Sequence, residues 1–408
     1  MEVHHGRSVV SRPTRSPLRR LPLVLASLVA TATATVALAA QASSVGGLPS
    51  TIKIGVVTSL SGASAASCVF EANAIRLAAH RAEHQRFFGK GVHIDVIFED
   101  DQSTSDGAIS GYQNLRSQGV VAILGPCIAS SAEILAAQSD STHIPEIVDL
   151  VSAADVVQHK YVFRGSPPQT LFATNTVKVL HTKGVKTVVV LHTTDNPDTA
   201  AIWNNEWSQQ LKRDKIQVLQ DFPLQGRPPD ISAVIAQIAQ MNPPPDAIGL
   251  DTLGTSTTVS YAQQLRQAGL NQLIFCQITC SYPIYYSSPQ GSAGAGTLYA
   301  TDFDSSINNP YITAFSKGWL AENGTLGTPT PSAAEGYNGA WRLFRAIKAA
   351  KSVKPDAILA ALSAQKSTVG VSGPVRYIQG GHEVLGTGYV LFLHGGTRTV
   401  QTVPKECC

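Results

Sequence analysis

Apolar runs alternate with amphipathic stretches along the chain from residue 52 onward. Residues 52–57 form an apolar run that predicts a buried strand, and Ile75, Ala79 and Ala82 recur at helical spacing in the stretch that follows. Residues 94–98 predict the next strand. Strands that alternate with helices in this way predict an α/β fold, with parallel sheets covered on both faces.

The same alternation continues into the second half of the chain. Pro243-Pro244-Pro245 ends one predicted helix before the strand that follows it. At 408 residues the chain is long enough for two α/β lobes. Further strands are predicted at residues 120–124, 144–148, 187–191, 216–222, 247–250 and 273–275, and further helices at 231–241 and 259–269.

The first 42 residues have the layout of a secretory signal. Five arginines precede an apolar stretch over residues 21–40, and small residues such as Ala40 and Ala42 suit a cleavage site. We therefore predict that residues 1–42 are removed and that the protein is extracytoplasmic, in the periplasm, the cell wall or the medium. A retained membrane anchor is the alternative, because the apolar stretch approaches the length that spans a bilayer.

The distribution of charge argues against nucleic-acid binding. The formal net charge is +3, and the first 20 residues carry +4 of it, which leaves −1 for the remainder. Proteins that bind nucleic acids present a basic surface to the phosphates, and the predicted mature chain has no such excess.

All six cysteines lie after the predicted signal, in a compartment where disulfides persist. Cys276 and Cys280 are close enough in sequence to close a small loop, and Cys68 and Cys127 both follow strands of the same half. These four residues are disulfide candidates, with free buried thiols as the alternative for the second pair. Their spacing is not that of a zinc site, and no metal is expected. The last two cysteines remain unassigned.

Several segments match, in order, those of one known family. Residues 52–62 resemble that family's opening strand and loop, and Glu99-Asp100-Asp101-Gln102-Ser103 resembles its acidic turn. Further matching segments follow at residues 121–126, 143–145, 161–164, 264–270, 331–333, 336–337 and 373–375. Over residues 51–395 the chain therefore resembles the Leu/Ile/Val-binding family of type I periplasmic binding proteins, the solute-binding components of ABC transporters.

The resemblance implies two similar three-layer lobes joined by three hinge crossovers. The ligand is then expected between the lobes, at the carboxyl ends of the strands, which is also where open α/β sheets bind ligands. We place the crossovers near Gly165, Tyr299 and Val369. The N-terminal lobe is then residues 51–165 with 299–368, the C-terminal lobe is residues 166–298 with 369–400, and residues 401–408 are a tail.

Three loops of the N-terminal lobe are expected to line the cleft. Ser67 matches a position where the family often has an aromatic wall. Ala129 aligns with the family's carboxylate-binding hydroxyl residue, and Ser130 lies next to it, before a helix whose positive end suits a carboxylate. The alternative for Ser130 is a plain helix cap.

The third loop contains Leu150, Val151 and Ser152. In the family, the matching carbonyl and hydroxyl groups meet the ammonium and carboxylate groups of the ligand. Ser152 matches a family Thr or Ser and is the best single candidate for ligand binding, with an ordinary loop serine as the alternative.

The C-terminal lobe departs from the family pattern. Pro197 stands at the position of an aromatic residue, and Ile278, next to Gln277, stands where leucine binders place a glutamate. A buried ammonium group without a carboxylate partner would be costly. Either Asp251 or Asp195 replaces that glutamate, or the ligand lacks an ammonium group, and Gln277 is a further candidate contact.

The motifs of common enzyme classes are missing from the sequence. It has no Gly-x-Ser-x-Gly, no His-Glu-x-x-His and no phosphate-loop motif, and its histidines show no ligand spacing. We predict a solute-binding protein of an ABC transporter that is not an enzyme and has no cofactor. Its expected partners are a small amino-acid-like ligand and the permease subunits, and we expect a monomer. The alternative is a sensor of amides or small carboxylates that acts through a separate signalling protein.

Overall fold

The computed structural model describes residues 47–151, 155–194, 197–226, 228–252, 254–287 and 294–404. Strands and helices alternate through the first part of the chain as the pattern predicts. Their bounds are β1 Thr51–Thr58, α1 Ala65–His84, β2 His93–Asp100, α2 Ser105–Ser117, β3 Ile123–Leu124, α3 Ala129–Thr142, β4 Glu146–Val148 and β5 Val162–Arg164.

The middle of the chain repeats the alternation. A short π-helical stretch, Trp203–Trp207, links two of its helices. The elements are α4 Gln169–Thr182, β6 Thr187–Thr193, α5 Pro197–Ile202, α6 Ser208–Arg213, β7 Gln217–Leu224, α7 Ser232–Ala239, β8 Ala247–Asp251, α8 Thr255–Gln267, β9 Leu273–Cys276, α9 Pro283–Tyr286 and β10 Thr297–Thr301.

The last part of the chain begins with helices and ends with antiparallel strands. Pro310, Pro331 and Pro355 each occupy the first helical position, where a missing N–H costs nothing. The elements are α10 Pro310–Asn323, α11 Pro331–Ala350, α12 Pro355–Ala364, β11 Ser367–Gly370, β12 Gly373–Ile378, β13 Glu383–Leu385, β14 Tyr389–His394 and β15 Thr397–Gln401.

The first sheet is parallel, with the strand order β2-β1-β3-β4-β5. On β1, Ile52, Ile54 and Val56 point to one face and join a core formed with α1, α11 and α12. Val57 belongs to a second core with Tyr112 of α2, on the opposite face. Helices therefore cover both faces of this sheet, as the apolar runs predict.

The second sheet has the order β15-β14-β10-β9-β8-β6-β7. Pairing is parallel from β7 to β10, and β14 and β15 add an antiparallel edge. On β6, Val188 and Val190 join a core with α4 and α6, whereas Val189 and Leu191 join a core with α7 and α8. The predicted α/β class with mostly parallel sheets is confirmed.

A small antiparallel sheet, β11-β12-β13, lies against the first sheet. The Arg164 backbone N–H, in β5, donates to the His382 carbonyl at 2.9 Å, and its side chain meets Glu383 at 2.9 Å. Tyr299 lies within β10 of the second sheet and Val369 within β11. The predicted lobe boundaries stay a prediction.

Two disulfides tie the loops at the ends of the strands. Cys68 in α1 is bonded to Cys127 after β3, and Cys276 of β9 is bonded to Cys280. Both predicted pairings are confirmed, and the alternative of free thiols at Cys68 and Cys127 is wrong. No helix in the described ranges is long and apolar enough to cross a bilayer. The predicted signal and the last two cysteines lie outside the described residues.

Candidate functional site

Buried polar residues collect where the strands of both sheets end. Thr58 ends β1, Asp149 follows β4, Asp251 ends β8 and Asp302 follows β10. All four are at most 4% exposed. In open α/β sheets the carboxyl ends of the strands form the ligand crevice. This edge is therefore the candidate site.

Asp149 sits in a space that two glycines leave open. A Cβ on Gly165, after β5, would collide with one oxygen of its carboxylate, and a Cβ on Gly339 of α11 would collide with the other. The side chain is fully buried, and neither oxygen has a hydrogen-bond partner in the described part of the chain. Local sequence therefore makes room for a carboxylate but supplies no donor to it.

Two glutamates on helices approach the same region. Glu71 of α1 accepts a hydrogen bond from the Thr58 hydroxyl at 2.8 Å. Glu335 of α11 accepts one from the Leu150 backbone N–H at 3.1 Å, beside Asp149. Both glutamates lie on the buried faces of otherwise amphipathic helices. Together with Asp149 and Asp302 they form what we call the acid cluster.

Burial raises the pKa of every member of the acid cluster. The pKa of Glu71 rises to about 8 and that of Asp302 to about 7, chiefly because burial disfavours the charged form. The pKa values of Asp149 and Glu335 are raised well above the ordinary range by burial and by the neighbouring carboxylates of the cluster. These groups therefore resist ionisation unless a positive charge joins them.

Arg342 of α11 is the cation that acts on Asp149, but its guanidinium is engaged elsewhere. It donates to the main-chain carbonyls of Arg164 and Gly381 and to the Gln365 side chain at 3.2 Å. It also lies over the Tyr377 ring at 3.9 Å. Its attraction therefore only partly offsets the repulsion within the cluster.

The second sheet contributes one buried carboxylate of its own. Gln277 donates to one oxygen of Asp251, and the other oxygen has no partner in the described ranges. Trp203, Trp207 and Phe275 line the same small space. Burial, with the charge of Glu206, raises the pKa of Asp251 to about 8. Asp251 is thus a buried acid against an aromatic wall.

Tyr282 connects the second sheet to the acid cluster. It follows the Cys276–Cys280 loop, and its hydroxyl lies 2.7 Å from the Ser332 hydroxyl in the first turn of α11. Burial, together with the charges of Glu335, Asp302 and Glu71, raises the pKa of Tyr282. The strand ends of the two sheets therefore meet at the start of α11.

The structure brings some of the predicted first-lobe residues to this edge. Leu150 binds Glu335 through its N–H, and the buried Val151 accepts a hydrogen bond from Arg164 through its carbonyl. Ser67 is half-buried in the first turn of α1. Ala129 and Ser130 begin α3, after the N-cap residue Ile128, and no side chain caps that helix. The binding roles of these residues stay predictions.

The structure describes some of the predicted second-lobe residues and not others. Asp251 and Gln277 form one buried hydrogen-bonded pair. Asp195, and Ser152 of the predicted first lobe, lie outside the described residues. His192, the last residue but one of β6, stacks on Trp203 with 5.4 Å between the ring centroids, and its Nε2 lies 3.3 Å from Asp221. Burial lowers the pKa of His192.

Sequence reasoning missed the acid cluster. Glu335 lies between two segments that match the family, and Asp149 directly precedes the loop proposed to bind ligand. The sequence feature that could have indicated these acids is a charged residue at an apolar position of an amphipathic helix, such as Glu71. No group of His, Cys, Asp or Glu side chains in the described ranges is arranged to hold a metal ion.

Comparison with solved structures finds the same fold in solute-binding proteins. The leucine binding protein LivK from Thermotoga maritima has a TM-score of 0.75 and 20% identity, over 86% of this chain and 98% of the other. LivJ from Streptococcus pneumoniae, in complex with isoleucine, has a TM-score of 0.76 and 20% identity over 86% and 99%. A solute binding protein from R. palustris, in complex with benzoate, has a TM-score of 0.74 and 20% identity, over 86% of this chain and 95% of the other.

Comparison of the sequence gives the family. No curated protein matches the chain. The family model described as periplasmic binding protein matches residues 51–397, which is most of the chain and includes both sheets apart from the edge strand β15. The chain belongs to the periplasmic binding protein family.

Proposed function

We propose that the protein is the extracytoplasmic solute-binding component of an ABC transporter. It holds a small amino-acid-like molecule between two lobes and delivers that molecule to a permease. The observation that carries this proposal is the meeting of the two sheets at their carboxyl ends, with buried carboxylates on both sides. Membership of the periplasmic binding protein family supports it.

The similar structures support the same transporter class but leave the ligand open. LivJ is in complex with isoleucine and the R. palustris protein with benzoate, so the fold accommodates both an amino acid and an aromatic acid. In this chain Ile278 replaces the glutamate expected in leucine binders. We therefore propose a ligand that differs from leucine in its contacts.

The two lobes provide a mechanism for delivery. In place of the sequence-based crossovers near Gly165, Tyr299 and Val369, we propose boundaries at residues 165–168, 302–309 and 386–388, because the chain passes there between the elements of the first and second sheets. A ligand that touches both lobes binds the closed arrangement more tightly than the open one, and so shifts the population toward closure. The permease then recognises the closed form. The protein acts as a monomer, without cofactor and without catalysis.

Ligand binding is tested by thermal unfolding of the purified protein. The panel contains leucine, isoleucine, small amides, benzoate and amines. A ligand at 100 times its dissociation constant stabilises the folded state by about 2.7 kcal/mol, which raises the melting temperature measurably. A saturable shift confirmed by titration calorimetry supports the function, and the absence of any shift across the panel contradicts it.

A further inference from the structure

The acid cluster carries several carboxylate oxygens without hydrogen-bond donors. Both oxygens of Asp149, Oε1 of Glu71 and Oδ1 of Asp302 are buried and have no partner in the described ranges. A buried polar group without a partner costs about 1–3 kcal/mol, and a charged one costs more. Native proteins tolerate few such groups. Four of them in one place indicate that a partner of another kind binds there.

The groups that face the cluster supply little positive charge. Directly after β2, Asp101 adds a second carboxyl group near Glu71. From the second sheet, Tyr282 brings a neutral hydroxyl. From α11, Arg342 is the cation that acts on Asp149, and its donors are used by backbone carbonyls and Gln365. Within the described residues, the groups around the cluster therefore leave its carboxyl groups, once they ionise, without a matching positive charge.

Asp251 shows the same imbalance on the second sheet. Its pKa is affected by burial and by Glu206, a negative group, and its second oxygen has no partner in the described part. The indole rings of Trp203 and Trp207 lie beside it. Aromatic faces attract ammonium groups through their negative quadrupole, by about 0.5–2 kcal/mol. A carboxylate next to two indoles therefore favours an alkylammonium group.

We infer that the ligand is a small organic cation. The acid cluster holds one ammonium group of this ligand, and the other end of the ligand, a second ammonium group or an alkyl group, is directed toward Asp251. This inference rests on the proposed solute-binding function and names the class of its ligand. An ammonium group brings three donors, which can serve three of the four acceptor oxygens that lack partners. Lysine and putrescine bring a net positive charge, whereas a zwitterion such as leucine brings none and benzoate brings only negative charge.

A metal ion satisfies the same oxygens less well. Metal ligands must converge on one point at 2.0–2.6 Å, as Ca²⁺ and Mg²⁺ require. No group of carboxylates in the described ranges has that arrangement. An organic cation is larger and carries its donors on different atoms, so it can reach carboxylates that do not share one centre.

The first test compares probes on the purified protein at about pH 7.5. Putrescine, lysine, leucine, benzoate and Ca²⁺ are each added in thermal unfolding and titration calorimetry. We expect putrescine or lysine to raise the melting temperature, and leucine, benzoate and Ca²⁺ to have no effect. If leucine or benzoate binds and neither cation does, the inference is overturned while the solute-binding function stands. If no probe binds, the inference is overturned, and the wider panel of the first experiment decides on the solute-binding function. If Ca²⁺ alone raises the melting temperature, the inference that the ligand is an organic cation is overturned.

The second test assigns the cation to the cluster. Glu335→Gln and Asp302→Asn keep the shape and an acceptor oxygen but remove the charge, and we expect the cationic probe to bind roughly tenfold more weakly or worse. Glu146→Gln is the matched control, because Glu146 is also fully buried with a pKa near 8 but is bonded to Ser139, away from the cluster. We expect its affinity to change less than about twofold.

Loss of folding does not obscure this result, because the two effects have opposite signs. Replacement of a buried carboxyl group that ionises at a cost by its neutral amide retains or raises the melting temperature of the unliganded protein, while the shift that the cation induces becomes smaller. A cation affinity that is unchanged in both Glu335→Gln and Asp302→Asn, or that falls equally in Glu146→Gln, overturns the assignment.

Discussion

At the scale of single residues, the molecule buries carboxyl groups that ionise only at unusually high pH. Asp149, Glu71, Asp302 and Glu335 are each at most 3% exposed, and Asp251 is 4% exposed. Each has a raised pKa because burial disfavours the ionised form. The unliganded protein should therefore become less stable as pH rises, whereas a protein that acid denatures becomes more stable as pH rises.

We expect the melting temperature of the unliganded protein to fall as pH rises from about 5 to about 8. In the unfolded chain these carboxyl groups have pKa values near 4, whereas in the folded protein the pKa of Glu71 is about 8 and that of Asp302 about 7. Between these values the folded state holds more protons than the unfolded state, so the free energy of unfolding decreases with pH. Each such group contributes about 1.4 kcal/mol per pH unit.

Differential scanning calorimetry across this range measures the slope. Glu335→Gln removes one titrating group, so its melting temperature should fall less steeply with pH than that of the wild type. A melting temperature that is constant or rises over this range contradicts the raised pKa values.

Gly339 shows how one missing side chain positions a carboxylate. Alanine is favoured over glycine inside a helix by up to about 1 kcal/mol. In α11, however, the Cβ of Gly339→Ala would collide with the Asp149 carboxylate. We expect a destabilisation of about 1–3 kcal/mol, the usual effect of overpacking, in chemical denaturation. Gly339→Ala in an Asp149→Ala background is the control, because the collision is removed there. Stabilisation by the single variant contradicts this account.

At the scale of elements, the hydrophobic pattern predicts much of the sheets but not the exact strand ends. The run at residues 144–148 predicts a strand, and β4 begins only at Glu146, because Pro145 has no N–H for the ladder. The strand predicted at residues 120–124 is shorter in the structure, where β3 comprises only Ile123–Leu124. The parallel order of the sheets follows from the alternation of strands and helices. The antiparallel strands β14 and β15 were not assigned.

The candidate site was less predictable than the fold for a physical reason. Leu150 and Asp251 were found because they lie at strand ends, which meet at one edge of a parallel sheet. Glu71 and Glu335 lie on helices 264 positions apart in the chain, and only the packing of α1 on α11 places them together. Burial and contact between distant helices cannot be read from spacing, so these acids were missed.

The two disulfides should differ in their contribution to stability. Cys68–Cys127 closes a sequence separation of 59 residues, and Cys276–Cys280 one of 4. Chain entropy alone then assigns about 4 kcal/mol to the first and about 2 kcal/mol to the second. We expect the Cys68→Ala/Cys127→Ala variant to lose more stability than Cys276→Ala/Cys280→Ala in urea denaturation. Each variant serves as the other's control, and an equal or reversed order contradicts the prediction.

At the scale of the whole molecule, the two sheets are coupled through their strand ends. One apolar cluster extends from α1 and α10 to β6, β8 and β9. Within the described residues, the Tyr282–Ser332 pair adds a polar contact between the loop after β9 and the start of α11, beside the acid cluster. A binding protein that closes on its ligand needs contacts of this kind, which form when the lobes meet and favour the closed state.

Tyr282→Phe tests whether this contact favours closure. The variant removes one hydroxyl that bridges the two sheets, a hydrogen bond with a net contribution of about 1 kcal/mol. If the pair forms only on closure, the closed state loses that energy, and the affinity for the best-binding probe of the panel should fall about fivefold in titration calorimetry. Tyr285→Phe is the matched control, because the Tyr285 hydroxyl bonds Thr297 within the second sheet, at 3.0 Å. Loss of that bond lowers the stability of the second lobe in both the open and the closed states, so affinity should stay unchanged. An equal loss of affinity in both variants would mean that the Tyr282 hydroxyl acts on stability alone and that closure depends on other contacts.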